Sequence, residues 1–478
     1  MEQQPSILIQ REQANSTQGA YQSSGGPFDW TVETYFIKKQ DKAPIPADDA
    51  IIETEESSTT GLRFSKLFRS GVSVSPYVQY TGYNYRLVTD QDLSPVKSNT
   101  VGLLVKLPLL RGLGYENTAV GEIAAAHEMK AARLNVSHEI SLSVSNAVQV
   151  FWAYLAAHER LTVLIETEKR AQTMLEKTKV MVQGGEVPAA ELVNVQANLA
   201  DRESSRLTAE QAVVAARAEL GMAMGITPEE IRTLPAPAAP FPEPDSAALL
   251  QAKAVDILSY TQIATHHRLD LLATIQQNRS LEAILKAAQN RIKPELNLEL
   301  SLGYDGLKSG SGLSRSLQTT AYNQDSPDWS AGFRVTYPLG NNSSEGELTQ
   351  ALAQYRQGIL REKELVRTIQ TDISTVLSGL FSVVNELERS GEAVRNFTTA
   401  VDNEREKYLL GETTFLDLLS IEDRLDSALL NRISARQRAA NSLVSLRFKT
   451  GKLVKFVDEE GLVTLSDLTT LLLPEDVD

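Results

Sequence analysis

Residues 183–196 read QGGEVPAAELVNVQ, and residues 409–422 read LLGETTFLDLLSIE. Each stretch breaks a long helical pattern with a Gly-Glu step and resumes a helix almost at once. Upstream of the first, Gly121 to Gln183 holds no proline and no further glycine, while Ile140, Val144, Val148, Phe151 and Leu155 recur at helical spacing. Upstream of the second, a helix is predicted from Ser344, which has capping-box spacing to Glu347, to Leu410. Taken from Glu122 to Gly185 and from Glu347 to Gly411, the two helices differ by one residue. At ~1.5 Å rise per residue each is roughly 95 Å long.

Past each break the register persists at an offset of 226, pairing Gly185 with Gly411, Leu192 with Leu418, Leu199 with Leu425, Leu220 with Leu446 and Gly225 with Gly451. A fixed offset held this long reads as an internal duplication. Leu418, Leu425, Ala439 and Leu446 share one heptad lattice, which predicts a coiled-coil-like seam on the returning helix.

The segments between the helices have period two. Leu296, Leu298, Leu300, Leu302 and Tyr304 alternate with polar or glycine positions, and so do Trp329, Ala331, Phe333, Val335 and Tyr337. Such alternation over about ten residues predicts strands of the length a tilted strand needs to cross a bilayer. In the first half Trp30, Val32 and Phe36, and then Val101, Leu103, Val105 and Leu107, form the counterpart faces. Two further strand candidates flank Arg69-Ser70-Gly71, and the expectation is that they extend a hairpin beyond the lipid band. The polar segment 305–327 reads as a loop, and its Gly310 and Gly312 lack the following helix that a phosphate-cradling loop requires.

The predicted organisation is a first repeat over 1–234, with strands about 28–110 and helices about 117–222, and a proline-rich linker at 235–245. A second repeat follows over 246–453, with helices 246–292, strands 295–338 and helices 344–450, and then an acidic tail at 454–478. Only 26 residues precede Pro27, whereas 48 run from Ser246 up to Pro294, so the first copy is expected to lack its opening helical segment and to be N-terminally incomplete.

A net charge of −14 without clustered Lys and Arg argues against nucleic acid as a partner. The absence of cysteine excludes disulfide and thiolate chemistry within the sequence. The longest apolar runs fall short of the ~20 residues a membrane helix needs, and residues 1–20 lack the pattern of a signal peptide. His127, His138, His158, His266 and His267 have no metal-ligand spacing, so no metal, no cofactor and no catalytic constellation is expected.

Two copies of strand pair, long helix, glycine-bearing reversal and returning helix resemble the outer-membrane efflux protein family, the TolC-like channels. The resemblance is carried by PLLRG at 108–112 and PLG at 338–340, by the two reversals at matched register, and by His267-Arg268-Leu269-Asp270-Leu271. It implies a mainly α fold with a membrane β-barrel portion: a homotrimer in which each protomer gives four strands to a shared twelve-stranded barrel in outer-membrane lipid and its helices to a periplasmic α-barrel. It further implies a passive exit channel of a tripartite efflux or type I secretion system, not an enzyme, that docks a periplasmic adaptor and, through it, an inner-membrane pump.

By resemblance, the docking tips are Gly184, Gly185, Glu186, Val187 and Pro188 with Gly411, Glu412, Thr413, Thr414 and Phe415. Val187 and Phe415 are expected to be exposed apolar contacts there. Asp417 occupies an aperture position, Ser420 stands where the family has a second aspartate, and Glu191 and Asn194 are the first-repeat equivalents. The expected lipid-facing residues are Leu296, Leu298, Leu300, Leu302, Tyr304, Trp329, Phe333, Val335 and Tyr337. Asp417 reads equally as a solvated helix-face charge. The alternative for the whole chain is a soluble structural coiled coil with small β appendages; it would need a covering element for the apolar strand faces.

Overall fold

The structure is a computed structural model that describes residues 3–42, 45–47, 50–89, 92–243, 252, 257–309, 327–457 and 460–473. The glycine-rich segment 310–326 and most of 246–256 lie outside the described residues. In chain order the elements begin with α1 (Pro5–Ser24), β1 (Thr31–Asp41), β2 (Ile45–Ala47), β3 (Ala50–Leu67), β4 (Ser73–Leu87) and β5 (Val96–Pro108). Then come α2 (Tyr115–Thr118), α3 (Val120–Gln183), α4 (Ala189–Met224), α5 (Pro228–Thr233), α6 (Ile257–His267) and α7 (Leu269–Arg291). The second strand set is β6 (Glu295–Ser309) and β7 (Asp328–Thr336), followed by α8 (Asn342–Leu409) and α9 (Phe415–Lys449). The chain closes with β8 (Lys455–Val457), β9 (Glu460–Leu462) and α10 (Leu465–Thr469). Contacts divide it into two units: one of Met1–Asn15, Ala131–Ile275 and Arg361–Asp478, the other of Ser16–Lys130 and Gln276–Leu360.

The second unit holds one antiparallel sheet in the order β1-β3-β4-β5-β6-β7, with β2 continuing the pairing of β3. Directly opposed residues of an antiparallel pair share a face, so the register can be followed across the sheet. Val32 lies opposite Phe64, Leu62 opposite Val78, Val78 opposite Val101, Leu103 opposite Leu302, and Leu302 opposite Trp329. One apolar face therefore runs unbroken over all six long strands. On the other face Arg334 pairs with Glu299 at 2.8 Å, Arg63 with Glu33 at 3.5 Å and Lys106 with Glu295 at 3.2 Å. There Tyr35 lies against Gly61 and Tyr77 against Gly102, where an added Cβ would stand 2.3 and 2.5 Å from the rings. These are aromatic rings covering glycines where the sheet must curve.

The sheet holds six long strands in this chain, where the expectation was four per chain. The turn between β3 and β4 returns to the start of α3 instead of extending a hairpin away from it. Ser70 accepts from the Gly114 N–H at 3.0 Å, Arg69 donates to both carboxylate oxygens of Glu122 at 2.6 and 2.8 Å, and its guanidinium lies 4.8 Å from the Phe28 ring. Gly71, at φ +94°, backs onto the Gly112 carbonyl, so β3 and β4 are full-length strands. The period-two pattern of 60–87 was visible in the sequence; the direction of its turn was not, because that depends on a pairing 53 residues away.

Residues 5–24 are also more than the sequence suggested. They form α1, which precedes β1 as α7 precedes β6, so an opening helical segment is present in the first half. Its low apolar periodicity hid it, and Ile7 is its one buried residue.

The first unit is built from helices. Tyr260, Ala264, Leu271, Ile369, Ile373, Leu377 and Leu446 form one buried cluster, and Trp152, Leu155, Ala156, Phe241, Ile433 and Ala440 another. The predicted seam of α9 is buried at Leu418, Leu425, Ala439 and Leu446. The proline-rich segment does not behave as a free linker, since Phe241 is buried against Trp152 and Tyr154 donates to the Pro235 carbonyl at 3.2 Å. Nor are residues 454–473 a loose tail: Arg447 pairs with the buried Asp467 at 3.3 Å and Tyr260 donates to the Leu472 carbonyl at 3.1 Å. By composition α3 is apolar enough to cross a membrane, which the sequence reading denied, but half of that apolar window is buried within the protein.

Candidate functional site

Both long helices end in the same backbone device. At the end of α3 the Glu186 N–H donates to the Met181 carbonyl at 2.9 Å and the Gly185 N–H to that of Val182 at 3.1 Å. At the end of α8, Glu412 donates to Lys407 at 2.9 Å and Gly411 to Tyr408 at 3.0 Å. These are Schellman caps, whose C′ residue must be left-handed; Gly185 has φ +75° and Gly411 φ +73°. The returning helices end alike, with Gly225 at φ +71° and Gly451 at φ +76°. Here glycine is required on two counts, because a Cβ on Gly225 would lie 2.9 Å from the Gln4 Cα and one on Gly451 2.6 Å from the His267 carbonyl. Gln4 and Arg268 immediately precede α1 and α7, so the same contact occurs at the same place in each half.

After the glycine the two reversals diverge. Pro188 is the N-cap of α4 and offers no side-chain acceptor. Thr414 caps α9: its Oγ1 accepts from the Asp417 N–H at 3.2 Å and donates to Asp417 Oδ2 at 2.7 Å. Thr413 donates to Glu404 at 2.6 Å, tying the turn back to α8. The Thr414 hydroxyl and amide hold the Asp417 carboxyl below the usual aspartate range, and Thr413, with Lys407, does the same to Glu404. Asp417 is exposed and serves as a helix-start residue in its own chain. Ser420 and Asn194 are exposed and Glu191 is half-buried, with Asn194 donating to Glu191 at 3.3 Å.

Packing brings the two reversals together. Met174 and Val195 from the first hairpin and Tyr408, Phe415 and Leu418 from the second form one buried cluster, with Tyr408 edge-on to Phe415 at 6.3 Å. Phe415 is 4% exposed, so the expectation that it is a surface contact is wrong. Being the first residue of α9, it turns inward and fills the space under the turn. Val187 is half-buried. The exposed apolar side chains beside the reversals are instead Val180, Val193, Leu409, Leu410 and Leu416, of which Leu410 is 74% exposed.

Above the cluster lies a polar network that the sequence did not flag. Asp426 of α9 is buried and accepts from Arg170 at 2.7 Å and Thr167 at 2.9 Å, both on α3, while Arg202 of α4 stands 3.5 Å from its second oxygen and also pairs with Asp423. Burial pushes the Asp426 carboxyl up against the pull of Arg170 and Arg202. The signal was an acidic residue beside the seam position Leu425; at the 226 offset its counterpart is Ala200. Among the described residues no group of His, Asp and Glu could hold a metal ion. His138 is a packing residue against Phe448, its pKa lowered by burial.

The expected lipid-facing side chains share the apolar face traced above. Leu300, Leu302, Tyr304, Trp329, Phe333, Val335 and Tyr337 are exposed, Trp329 to 75%, while Leu296 and Leu298 are half-buried.

Comparison with known proteins follows the same lines. The family model "Outer membrane efflux protein" matches residues 261–452. No curated protein matches in sequence. Among solved structures, the outer membrane protein VceC of Vibrio cholerae aligns with TM-score 0.67 at 14% identity, over 94% of this chain and 93% of that one. A membrane protein from Pseudomonas aeruginosa aligns with TM-score 0.66 at 14% identity over 93% and 89%. The CmeC outer membrane channel of Campylobacter jejuni aligns with TM-score 0.63 at 14% identity over 94% and 83%. The family model thus covers residues 261–452, and the chain shares the fold of these solved proteins over nearly its whole length.

Proposed function

We propose that this protein is a passive trimeric exit channel of the outer membrane, with its helices in the periplasm, that receives cargo through a periplasmic adaptor coupled to an inner-membrane pump. The observation that carries the reading is the two-faced sheet. An apolar face with Trp329, Phe333 and Val335 exposed suits lipid, and an ion-paired face suits an aqueous lumen. In lipid, strand edges must find partners, and here they find them on neighbouring copies. The two halves are copies of one unit, as the four Schellman glycines at a constant offset support. A soluble coiled-coil protein would not leave that face uncovered.

In this reading the docking rim is formed by the reversals 184–188 and 411–415, with Leu410, Leu416 and Val193 as its apolar contacts, and the aperture by Asp417 and Ser420 with Glu191 and Asn194. Three Asp417 carboxylates around a narrow pore repel one another and favour opening unless neutralised. Purification tests the whole: a detergent-dependent particle of three times the 52.5 kDa chain mass is expected, and a monomer soluble without detergent refutes the channel. For the aperture, Asp417→Asn removes the charge and keeps an acceptor for Thr414, whereas Asp417→Ala removes both. Charge gating predicts altered conductance in both variants; a change in Asp417→Ala alone assigns Asp417 to the helix cap only.

A further inference from the structure

We infer that the membrane barrel of this protein is closed by edge pairing of β1 of one copy with β7 of the next and holds six strands from each copy, eighteen in the trimer. This rests on the trimeric channel reading and departs from the twelve strands that the family resemblance implies.

The hairpin β3–β4 belongs to the barrel wall for three reasons. Its turn is bonded to Gly114 and Glu122, at the end of the sheet where β5 runs into α3, so each of its strands traverses the sheet in full. It pairs on both sides, β3 with β1 and β4 with β5, each over eleven residue pairs. It also carries both faces of the wall: Leu62, Phe64 and Val78 continue the apolar face, while Arg63, Tyr77 and Gln79 continue the polar one, where Gln79 accepts from Tyr35 at 2.8 Å.

The partner for the two edges is a second copy of this chain. Six strands are fewer than the eight of the smallest barrels, so one copy cannot close alone. An even number of strands alternating in direction leaves β1 and β7 antiparallel to each other, and the two edges are of similar length, 11 and 9 residues. Both are exposed along their length, with Phe36 at 69% and Phe333 at 72%. Because barrel diameter grows about linearly with strand number, eighteen strands give a diameter roughly 1.5-fold that of twelve, in the range of barrels that hold an open aqueous channel. The membrane section is then wide enough that selection among solutes falls to the helical part.

The absence of cysteine makes the test clean. Cysteines placed on one face of the two edges, at Thr34 or Phe36 with Ala331 or Phe333, are oxidised in detergent-solubilised protein. At least one combination is expected to give covalent dimers and trimers on denaturing gels, whereas Glu33→Cys with Phe333→Cys, on opposite faces, gives none. In parallel, end-on electron microscopy of the unmodified particle in lipid nanodiscs counts copies and strands. Three copies and eighteen strands support the inference. Three copies around a twelve-stranded wall, or a trimer in which no edge combination cross-links, overturns it and leaves the channel reading standing. A particle without three copies overturns both.

Discussion

Leu418→Ala tests whether the two reversals are one structural piece. Leu418 is the fourth residue of α9 and is fully buried among Met174 and Val195 of the first hairpin and Tyr408 and Phe415 of the second. Removing a buried leucine side chain costs about 2–5 kcal/mol, part transfer and part residual cavity. The neighbourhood is partly solvated, with Leu409, Leu410 and Leu416 exposed around it, so the site can relax and about 3 kcal/mol is the reasonable figure. If the loss appears as easier local opening, amide exchange there rises roughly 100-fold, at tenfold per 1.4 kcal/mol. Hydrogen exchange read by mass spectrometry should show it in two separate segments, about 174–195 and 405–420, although only the second carries the substitution. Leu416→Ala, two residues away and 61% exposed, is the control and should change neither segment by more than about 0.5 kcal/mol. Faster exchange confined to 405–420 would refute the joint packing, and with it the idea that docking at one reversal is felt at the other.

The glycine caps make a graded comparison: Gly411→Ala meets open space and loses only the left-handed penalty of about 1–2 kcal/mol, while Gly451→Ala adds a Cβ 2.6 Å from the His267 backbone and should lower the thermal midpoint further. Equal midpoints would contradict the close approach. The depressed pKa values of Asp417 and Glu404 stabilise the second reversal above the ordinary carboxylate range, and that stabilisation is lost as pH falls through their lowered folded values. The first reversal has no side-chain cap, so exchange at 411–418 should accelerate on acidification before exchange at 185–192 does; simultaneous acceleration would show that the cap carbonyls, not the carboxylates, set the stability. Asp426→Ala strips two arginines of a buried partner and should cost about 2–4 kcal/mol in thermal unfolding, discounted from the buried-pair range because Arg170 remains a quarter exposed. Asp423→Ala, at a half-exposed carboxylate, should cost less than about 1 kcal/mol.

The sequence by itself determined the periodic features. Strand and helix follow from whether apolar residues recur every two or every three to four positions, and Leu296–Tyr304 and Ile140–Leu155 leave no ambiguity. The reversals followed from glycine, because only glycine takes the left-handed C′ position cheaply and the 226 offset marks it twice. The apolar face followed from parity, which a strand cannot change without turning every side chain over.

What the tertiary structure decided depends on contacts between residues far apart in the chain. The direction of the β3–β4 turn, and so the number of full-length strands in the sheet, is set by Arg69 meeting Glu122 and by Gly71 fitting against Gly112. Phe415, which a local reading puts on the surface, is drawn inward by Met174 and Val195, more than 200 residues earlier in the chain. Asp426 gains its meaning only where Arg170 and Arg202 converge on it. Periodicity is a property of neighbours along the chain and is legible there; pairing and burial are properties of neighbours in space.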